Sequence, residues 1–400
     1  MQFIKLTEQE FRKFSLSEPG GSFAQSVEFA KLKNKLSWQT EFLGVKEGNE
    51  IKLAGLVAWK FHVKVPSGDF YMGPIFDPED TGFLVFFARE LKKYAKQKDV
   101  AFVKLSPNLT YQKLTQTGSR LEEKNENLIA SLKKAGFRSG YHTIPQFVFK
   151  KNIVEFESED QMFKSFKTKA RTNIRNASEK FHIKARTLSK SELPMFKQIM
   201  EMTADRQGFN DKTLEYYENF YDIFTKSKDY TAEFVVSEFV VSDLQRSCDE
   251  KKNELQKLMT KSTASAQKEC QNQIEGIERR ERMLKELSED PDQKIPISVG
   301  LYVKSKREVV YLFGGNDPRY LGFGGTYAHS WVKMKEALNC KIPFFNFYGV
   351  SGIFDKNDKS YGVLEYKQSF NGYVEELVGG FYLPVRPLKF WLGRVISKIK

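Results

Sequence analysis

The sequence has few of the residues from which metal sites, disulfides and covalent active sites are built. Its three cysteines lie far apart, which gives no metal-binding spacing and no paired framework and favours a reducing compartment. The four histidines are equally scattered, and we interpret them as structural residues. No Ser–His–Asp order, paired-carboxylate motif or phosphate-binding Gly-Lys-Ser loop is recognisable. The cysteines are Cys248, Cys270 and Cys340, and the histidines are His62, His142, His182 and His329.

Long apolar runs are also missing from the sequence. The N-terminal segment MQFIKLTEQE lacks the apolar centre of a secretory signal peptide. No uninterrupted apolar run reaches the length that crosses a bilayer. The sequence therefore predicts a cytoplasmic protein, either free or peripheral at the inner face of the membrane.

Positive charge and phenylalanine are plentiful instead. The 400 residues carry a formal net charge of +13, and 35 of them are phenylalanine. A chain of this length exceeds one hydrophobic core, so we expect two domains. The charge suggests an anionic partner, such as nucleic acid, a phosphorylated substrate or a membrane surface. A general gain in solubility is the alternative explanation.

Strand-like and helix-like segments alternate in two parts of the sequence, which indicates two mixed α/β units. The helix-then-strand order of residues 90–107 returns at residues 333–350. Chance similarity between generic helix–strand pairs is the alternative. The predicted strands are 51–63, 100–107, 143–150, 296–304, 308–315 and 343–350, and the predicted helices are 83–97, 127–137 and 326–339.

Residues 242–290 differ from the rest in composition. Aromatic residues are missing there, and leucine, isoleucine and cysteine recur at steps of three, four and seven around the polar stretch 260–267. This spacing predicts two helices that fold back as an antiparallel coiled coil. One long helix or a disordered linker are the alternatives. Residues 242–295 hold 11 Lys or Arg and 12 Asp or Glu, so the positive charge belongs to the rest of the chain.

A basic stripe marks the predicted helix in KTKARTNIRNASEK, residues 167–180. Lys167, Arg171 and Arg175 recur every four residues beside apolar residues spaced for one buried helix face. The stripe is either solvated or in contact with an anionic partner. The apolar residues are Phe163, Phe166, Ala170, Ile174, Ala177 and Phe181.

Two further segments are candidates for binding phosphate groups. RYLGFG, residues 319–324, has the R-x-x-G-x-G pattern of the loop that binds the coenzyme A pyrophosphate in GNAT acetyltransferases. A purely structural loop is the alternative. Arg206 stands near a helix end, where it either binds phosphate or simply complements the helix dipole. The nearby Tyr216 and Tyr217 either line a cleft or pack in the core.

Lysines in aromatic surroundings provide the remaining candidates. Lys367 lies between Tyr366 and Phe370 in sequence, and a lysine that loses solvent there becomes a focused positive charge. Lys33 belongs to an amphipathic helical segment, 23–38, with closely spaced lysines, so it signifies little by itself.

Taken together, these segments resemble the FemABX family, which builds the interpeptide bridges of bacterial peptidoglycan, and the MurM/MurN branch is the most similar. The ordered set of matches, rather than any single motif, is specific and spans nearly the whole chain. The matches are F-x-Q-S with a following lysine (23–33), K-x-x-x-R-x-x-I-R-x-A (167–177), T-x-x-R-x-x-F (203–209), the charged helical hairpin, Y-x-F-G-G (311–315), F-Y-G-V-S-G (347–352) and L-x-Y-K-x-x-F (364–370).

The resemblance implies an α/β (α+β) fold with two GNAT-like domains and an inserted antiparallel coiled-coil arm. Domain 1 would be residues 1–150. Domain 2 would be residues 151–241 and 296–383, with the arm at 242–295. The basic amphipathic tail, 384–400, would either pack on domain 1 or lie on an anionic bilayer.

The family transfers an aminoacyl group from aminoacyl-tRNA to an amino group of a muropeptide precursor, and the resemblance implies this reaction here. Lys367 would be the catalytic residue that faces the reacting carbonyl. Lys33 and Arg206 would bind the diphosphate of a lipid-linked precursor similar to lipid II. Tyr217 and Tyr311 would line the acceptor channel.

The remaining expectations concern the donor. The stripe of Lys167, Arg171 and Arg175 would contact the tRNA backbone, with precursor phosphates or solvent as alternatives. The donor ester is already activated and the acceptor amine is the nucleophile, so positioning and a positive charge suffice, without cofactor or metal. Alanine or serine is the expected amino acid, ahead of glycine. A coenzyme A-dependent N-acetyltransferase and a non-catalytic RNA-binding protein are the alternative functions.

Overall fold

The computed structural model describes residues 1–140, 145–260, 263–287 and 290–390. The predicted strands and helices are confirmed in type where they are described, and residues 143–144 of the predicted strand 143–150 lie outside the described residues. The helices are α1 (Glu8–Ser17), α2 (Val27–Lys35), α3 (Leu84–Gln97), α4 (Glu126–Lys134), α5 (Glu159–Lys164), α6 (Thr168–Arg175), α7 (Leu193–Gln207), α8 (Leu214–Phe224), α9 (Val241–Met259), α10 (Ala264–Leu287), α11 (Gly325–Asn339) and α12 (Tyr361–Gln368). The strands are β1 (Gln2–Lys5), β2 (Gln39–Glu47), β3 (Glu50–Lys60), β4 (Ser67–Phe70), β5 (Ile75–Phe76), β6 (Phe102–Leu105), β7 (Thr110–Thr115), β8 (Arg138–Ser139), β9 (Phe147–Asn152), β10 (Lys184–Thr187), β11 (Thr231–Val240), β12 (Lys294–Lys304), β13 (Glu308–Asn316), β14 (Phe344–Val350), β15 (Tyr373–Leu377) and β16 (Phe381–Pro384).

The first sheet has the strand order β1-β2-β3-β4-β6-β16-β8, and β5 pairs with β3 beside this path. The central strand β3 is buried without interruption from residue 53 to residue 59. Both faces of the sheet are covered: Leu56 belongs to the core beneath α1 and α2, and Val57 belongs to the core beneath α3 and α4. Burial on both faces explains why this strand is a continuous apolar run rather than an alternating one.

The second sheet has the order β10-β11-β12-β13-β14-β9-β15-β7. Successive residues of β11 point to opposite faces, as the pleat of a strand requires. Phe234 and Val236 pack in the core with α7 and α8, whereas Val235 packs in the core with α6 and α11. The core beneath α7 and α8 continues into the core beneath α1 and α2, so one hydrophobic cluster joins the two sheets.

Strands cross between the two sheets, which the division at residue 150 does not anticipate. β7 and β9 lie before or across that boundary, yet both pair in the second sheet, where β9 stands between β14 and β15. β16, from the other end of the chain, lies between β6 and β8 in the first sheet. The sequence division therefore does not follow the sheets. These pairings join strands far apart in sequence, and local patterns do not encode them.

The repeated helix-then-strand segments occupy equivalent positions in the two sheets. β4 and β6 are parallel neighbours with α3 between them in sequence, and β13 and β14 are parallel neighbours with α11 between them. Parallel neighbours require a crossover connection of this kind. Residues 90–107 and 333–350 are therefore, in each sheet, the crossover helix and the second strand of a parallel pair.

Helices α9 and α10 form the inserted arm. Contacts between the two helices run in opposite directions along the chain: Arg280 reaches Cys248, and Gln267 bonds to the carbonyl of Met259. The helices are therefore antiparallel, as predicted. Leu255, Ile274 and Ile277 form their buried seam. Supercoiling of this pair remains a prediction.

The C-terminal segment packs on the first sheet as far as the structure describes it. Val385 is buried, and the ring of Phe390 lies 5.0 Å from that of Phe102. Arg386 and Lys389 both pair with Asp99. Residues 391–400, which hold most of the predicted amphipathic tail, lie outside the described residues. Across the described residues, every helix is too short or too polar to traverse a bilayer.

Candidate active site

The main cavity opens where the parallel strands β13 and β14 separate. Only Glu308 to Val310 pair with Phe344 to Asn346, after which the two strands diverge. The gap beyond this point is a cavity of about 670 Å³. Its walls come from the ends of β13 and β14, the C-terminal end of α7, the start of α11 and the helix α12.

An irregular backbone in β14 keeps the two strands apart. The pairing of β14 with β9 breaks its register between Asn346 and Gly349. Tyr348, in the break, has a positive φ of 64°, which is strained for a residue with a side chain. Its N–H donates a 2.8 Å hydrogen bond to the side-chain oxygen of Asn346 instead of to a neighbouring strand. The carbonyls of Tyr348 and Gly349 are thereby turned towards α12.

Lys367 on α12 donates hydrogen bonds to those two carbonyls. Its side-chain nitrogen donates to the oxygen of Gly349 at 2.6 Å and to that of Tyr348 at 3.4 Å. The residue is only 6% exposed and lines the cavity. No ion pair joins it to any described carboxylate, and burial lowers its pKa to about 7. An ammonium has three N–H donors, so one remains available for a group in the cavity.

Arg206 and Tyr311 line the same cavity. Arg206 stands on the last turn of α7, which ends in the left-handed Gly208. Its guanidinium is exposed and has no hydrogen bond or ion pair to the described residues. Tyr311 stacks on Tyr302 with a ring distance of 4.7 Å, and burial raises the pKa of its hydroxyl. The structure therefore brings Arg206, Tyr311 and Lys367 together.

Lys33 lies in a neighbouring small pocket with Asp69 and Tyr71. Its ammonium is within 4.6 Å of the ring centre of Trp38 and within 5.9 Å of that of Tyr71. Burial lowers the pKa of Lys33 more than Asp69 raises it, and burial also raises the pKa of Asp69. One carboxylate oxygen of Asp69 is buried without a hydrogen-bond partner. The pocket thus combines largely apolar walls with a buried carboxylate that is incompletely hydrogen-bonded.

One contact connects this pocket to the main cavity. The hydroxyl of Tyr71, which lies beside Lys33, is 2.9 Å from the hydroxyl of Tyr348. The backbone of Tyr348 in turn contacts Lys367. Lys33 therefore belongs to the surroundings of the cavity without lining it.

Tyr217 lies elsewhere. Its side chain is fully buried, packs against Phe196 and Phe234, and donates a 2.6 Å hydrogen bond to Asp211. It does not line the main cavity. Of the two interpretations of Tyr217, core packing rather than lining a cleft describes its position, because it lies on the apolar face of α8, which faces the core.

The basic stripe runs along α6, outside the cavity. Lys167 precedes the helix, and its N–H donates to the carbonyl of Ser369 beside α12. The guanidinium of Arg175 lies over the ring of Phe163. The apolar face beside the stripe is buried as predicted, with Ala170 and Ile174 in the core. Nothing in this geometry identifies the partner of the stripe, so tRNA contact remains a prediction.

The glycine motif shapes the cavity wall. A tight turn at Pro318–Phe323 leads into α11 through Gly324, whose φ of 77° is left-handed. A Cβ at Gly324 would come within 2.9 Å of the carbonyl oxygen of Asn173 on α6. Arg319, the arginine of the motif, is held by Asp317 at 2.6 Å. Backbone packing therefore accounts for this glycine without a nucleotide.

Sequence reasoning missed a group of buried hydroxyl residues and one histidine behind the cavity. They include Tyr302, His329 and Ser330, and none of them is more than 1% exposed. In the sequence, His329 lies far from the other histidines and belongs to no motif, so it is interpreted as structural. Its hydrogen-bond partners come from β12, so only the fold assembles the group.

Known proteins are similar to this chain over its whole length. The model of the FemAB family matches residues 6–398. The chain belongs to the FemAB family. Relatives of this FemAB protein include aminoacyltransferase FemA of Staphylococcus aureus strains MRSA252 and MW2. Each is 27% identical over 419 aligned residues, which cover 100% of this chain and 99% of the relative. The predictions of a FemABX protein and of an aminoacyltransferase are confirmed.

Solved structures share the FemAB protein's fold. The crystal structure of FemX matches with a TM-score of 0.76 at 21% identity, covering 98% of this chain and 99% of that one. A tandem GNAT protein from the clavulanic acid biosynthesis pathway matches with a TM-score of 0.52 at 8% identity, covering 96% and 98%. The predicted mixed α/β fold with two GNAT-like units is therefore confirmed.

Proposed function

We propose that this FemAB protein transfers an aminoacyl group from aminoacyl-tRNA to an amino group of a lipid-linked peptidoglycan precursor. The observation that carries the proposal is the cavity between β13 and β14, where Lys367 is buried against backbone carbonyls without a carboxylate partner. A positive charge so placed is aimed at an anionic group rather than neutralised by the protein. Membership of an aminoacyltransferase family supports the reading of that anion as a reaction intermediate.

The chemistry needs little beyond positioning and this charge. The precursor amine attacks the ester carbonyl of the charged tRNA, a C–N bond forms, and the ester C–O bond breaks. Negative charge gathers on the carbonyl oxygen in between, and the free N–H of Lys367 stabilises it. Aminoacyl-tRNA is the co-substrate, and no cofactor takes part. Alanine and serine are the favoured amino acids.

The other cations would hold phosphate groups. Arg206 stands exposed at the same cavity, and its planar guanidinium suits two-point binding of a diphosphate. Lys33 stands in the adjoining pocket, where its ammonium lies over the ring of Trp38 and shares the pocket with Asp69. A lipid-linked acceptor would bring the protein to the inner face of the cytoplasmic membrane, where the basic C-terminal tail would contact anionic lipid.

One assay tests the proposal directly. The purified protein is incubated with tRNA charged with alanine, serine or glycine and with a purified lipid-linked precursor, and the product is weighed by mass spectrometry. We expect one added residue with one or two of these amino acids and none with uncharged tRNA. No product with any charged tRNA would refute the proposal.

Acetyl-CoA is the alternative donor, and calorimetry distinguishes it. Coenzyme A would use the glycine turn, where Arg319 is already engaged by Asp317. We therefore expect no heat of binding from acetyl-CoA. Tight binding together with acetylation of an amine substrate would favour the acetyltransferase.

A further inference from the structure

A continuous line of side-chain hydrogen bonds leaves the main cavity, runs between α11 and β12 and returns to the cavity. We name it the hydroxyl–imidazole chain. Its first half starts at Tyr366, whose hydroxyl is 2.7 Å from that of Ser330. Ser330 is 3.1 Å from the hydroxyl of Tyr302, which is 2.6 Å from Nδ1 of His329. In order, the members are Tyr366, Ser330, Tyr302, His329, Ser298 and Thr326.

The second half returns to the cavity wall. Nε2 of His329 is 3.1 Å from the hydroxyl of Ser298, and that hydroxyl is 3.1 Å from the hydroxyl of Thr326. The Ser298 hydroxyl also donates a 3.1 Å hydrogen bond to the carbonyl of Gly315, so it turns to Thr326 when it takes part in the chain. Thr326 donates a 2.6 Å hydrogen bond to the side-chain oxygen of Asn316. Tyr366, Thr326 and Asn316 all line the cavity. Both ends of the chain therefore reach the same space.

The interior of the chain is buried, and its histidine is neutral. Ser298, His329 and Ser330 are fully buried, and Tyr302 is 1% exposed. Burial lowers the pKa of His329 to about 3, with a smaller contribution from Lys333, so the imidazole is neutral. A neutral imidazole has one donor nitrogen and one acceptor nitrogen. This is the arrangement that lets a ring accept a proton on one side while it releases another on the opposite side.

The hydrogen bonds of the chain can point in either direction. In one orientation Tyr366 donates to Ser330, Ser330 to Tyr302, and Tyr302 to Nδ1 of His329. In the other, Nδ1 donates to Tyr302 and the bonds among the six members reverse, which leaves the Tyr366 proton directed into the cavity. Each hydroxyl can both donate and accept, so every member keeps a partner in either state. The oxygens of Gly315 and Asn316 only accept, and they give up the Ser298 and Thr326 protons when those protons turn along the chain.

The proposed reaction needs such a path. The attacking amine must lose a proton, and the ribose oxygen that leaves must gain one. Among the described residues that line the cavity there is no carboxylate and no imidazole to take that proton directly. Tyr366 stands next to Lys367 on α12, and Thr326 stands at the start of α11 on a different element of the wall.

We propose that the hydroxyl–imidazole chain carries the proton from the attacking amine to the leaving oxygen. The amine nitrogen gives its proton to the Tyr366 oxygen as the C–N bond forms. Each member passes on its own proton, and Thr326 releases one to the ribose oxygen as the C–O bond breaks. One proton enters and one leaves, so no member stays charged. Tyr366 and Thr326 are catalytic residues, and the other four are positioning residues that act through them.

Tyr302→Phe is the sharpest test because it removes one link and keeps the ring that stacks on Tyr311. Tyr230→Phe is the matched control, since Tyr230 is also buried but lies outside the chain. We expect the single-turnover transfer rate of Tyr302→Phe to fall roughly 100- to 10,000-fold, the range of general acid–base catalysis. The KM values of both substrates should stay within about twofold. Tyr230→Phe should match the wild type.

A solvent isotope measurement separates proton transfer from structural support. The wild-type rate should depend on the deuterium fraction along a curve, because several protons move together. The same plot for Tyr302→Phe should be a straight line. Ser330→Ala breaks the chain at a second site and should reproduce both effects if Tyr302→Phe fails to fold, which thermal melting would reveal.

This inference rests on the proposed function, but the two fail differently. A wild-type protein that makes no aminoacylated product contradicts the proposed function. A wild-type protein that makes the product, with Tyr302→Phe and Ser330→Ala within about twofold of it and with unchanged isotope plots, overturns the hydroxyl–imidazole chain alone.

Discussion

The two sheets contain equivalent parallel strand pairs, but only one pair opens. β4 pairs with β6 along its full length. The nearby pocket that holds Lys33 has a cavity volume of only about 10 Å³. β13 pairs with β14 over three residues and then leaves a cavity of about 670 Å³. The same crossover architecture is therefore closed between β4 and β6 and opens into a cavity between β13 and β14. The irregular backbone of β14 around Tyr348 accounts for the difference between the two strand pairs.

The lysines of the two sites differ in the same way. Lys33 is held by aromatic rings and by the charge of Asp69, which suits a group that binds an anion. Lys367 is held by neutral backbone carbonyls, which leaves its charge free for the cavity. A third lysine, Lys151, is also buried and bonded to a backbone carbonyl, but it lies under Phe156 and Phe166 rather than at the cavity. Lys151 and Lys367 are both buried, but only Lys367 lines the cavity, so substituting each in turn distinguishes an effect of burial from an effect on catalysis.

Lys367→Met should have the largest effect on this comparison. Removing one charged donor to the oxyanion lowers the rate of transfer by about 100- to 1,000-fold. Lys151→Met is the matched control, since it removes a similarly buried ammonium that makes a 3.0 Å bond to a carbonyl. Single-turnover rates should fall for Lys367→Met and stay near the wild type for Lys151→Met. Equal losses would mean that the Lys367 effect is structural.

The pH dependence sharpens the same prediction. Burial lowers the pKa of Lys367 from 10.5 to about 7, so between these values the unfolded chain binds this proton and the folded chain does not. The contribution of Lys367 to the free energy of unfolding therefore rises with pH in that window. Its catalytic charge is lost at the lower end of the same window. We expect the Lys367-dependent part of the rate to fall above about pH 7 without a loss of stability from this group.

Lys33→Met should have an intermediate effect, and it should change the binding of the precursor rather than the rate of transfer. The loss of a charge-assisted contact to phosphate weakens binding by about 1.5–3 kcal/mol, or roughly 10- to 100-fold. We expect the KM for the lipid-linked precursor to rise by that factor with kcat nearly unchanged. Lys35→Met, on the exposed end of the same helix, should leave both constants unaltered. A fall in kcat alone would place Lys33 in the chemical step instead.

Charge reversal of the stripe should have the smallest effect. Lys167, Arg171 and Arg175 lie outside both pockets, so their replacement by Glu should raise the KM for aminoacyl-tRNA about five- to tenfold, as expected for exposed ionic contacts. Thermal stability should change little. The control reverses the same amount of charge on exposed lysines around α4. The control residues are Lys124, Lys133 and Lys134. An unchanged KM for tRNA would leave the stripe as a solvated face.

Local patterns predicted more of the fold than of the site. The apolar spacing around Ala170 and the seam of the α9–α10 arm were predictable because helical periodicity reports burial directly. The aromatic neighbours of Lys367 correctly indicated a desolvated lysine. Tyr217 illustrates the limit: a tyrosine on an amphipathic helix faces the core or a cavity with the same sequence spacing.

The connections between distant segments were not predictable. The role of His329 depends on its hydrogen bonds to Ser298 and Tyr302. Both partners lie on β12, and β13 and the turn before α11 separate that strand from His329 in the sequence. The crossing of β7 and β9 into the second sheet likewise depends on a shared partner strand, β15, which lies more than 200 residues away. No periodicity within either segment carries that information.

The position of β16 has a consequence for synthesis on the ribosome. This strand fills the gap between β6 and β8, so the N-terminal sheet stays incomplete until residue 384 has emerged. Growing chains that stop anywhere earlier expose the unpaired edges of both neighbours. The first sheet therefore completes its strand pairing only after nearly the whole chain has been made.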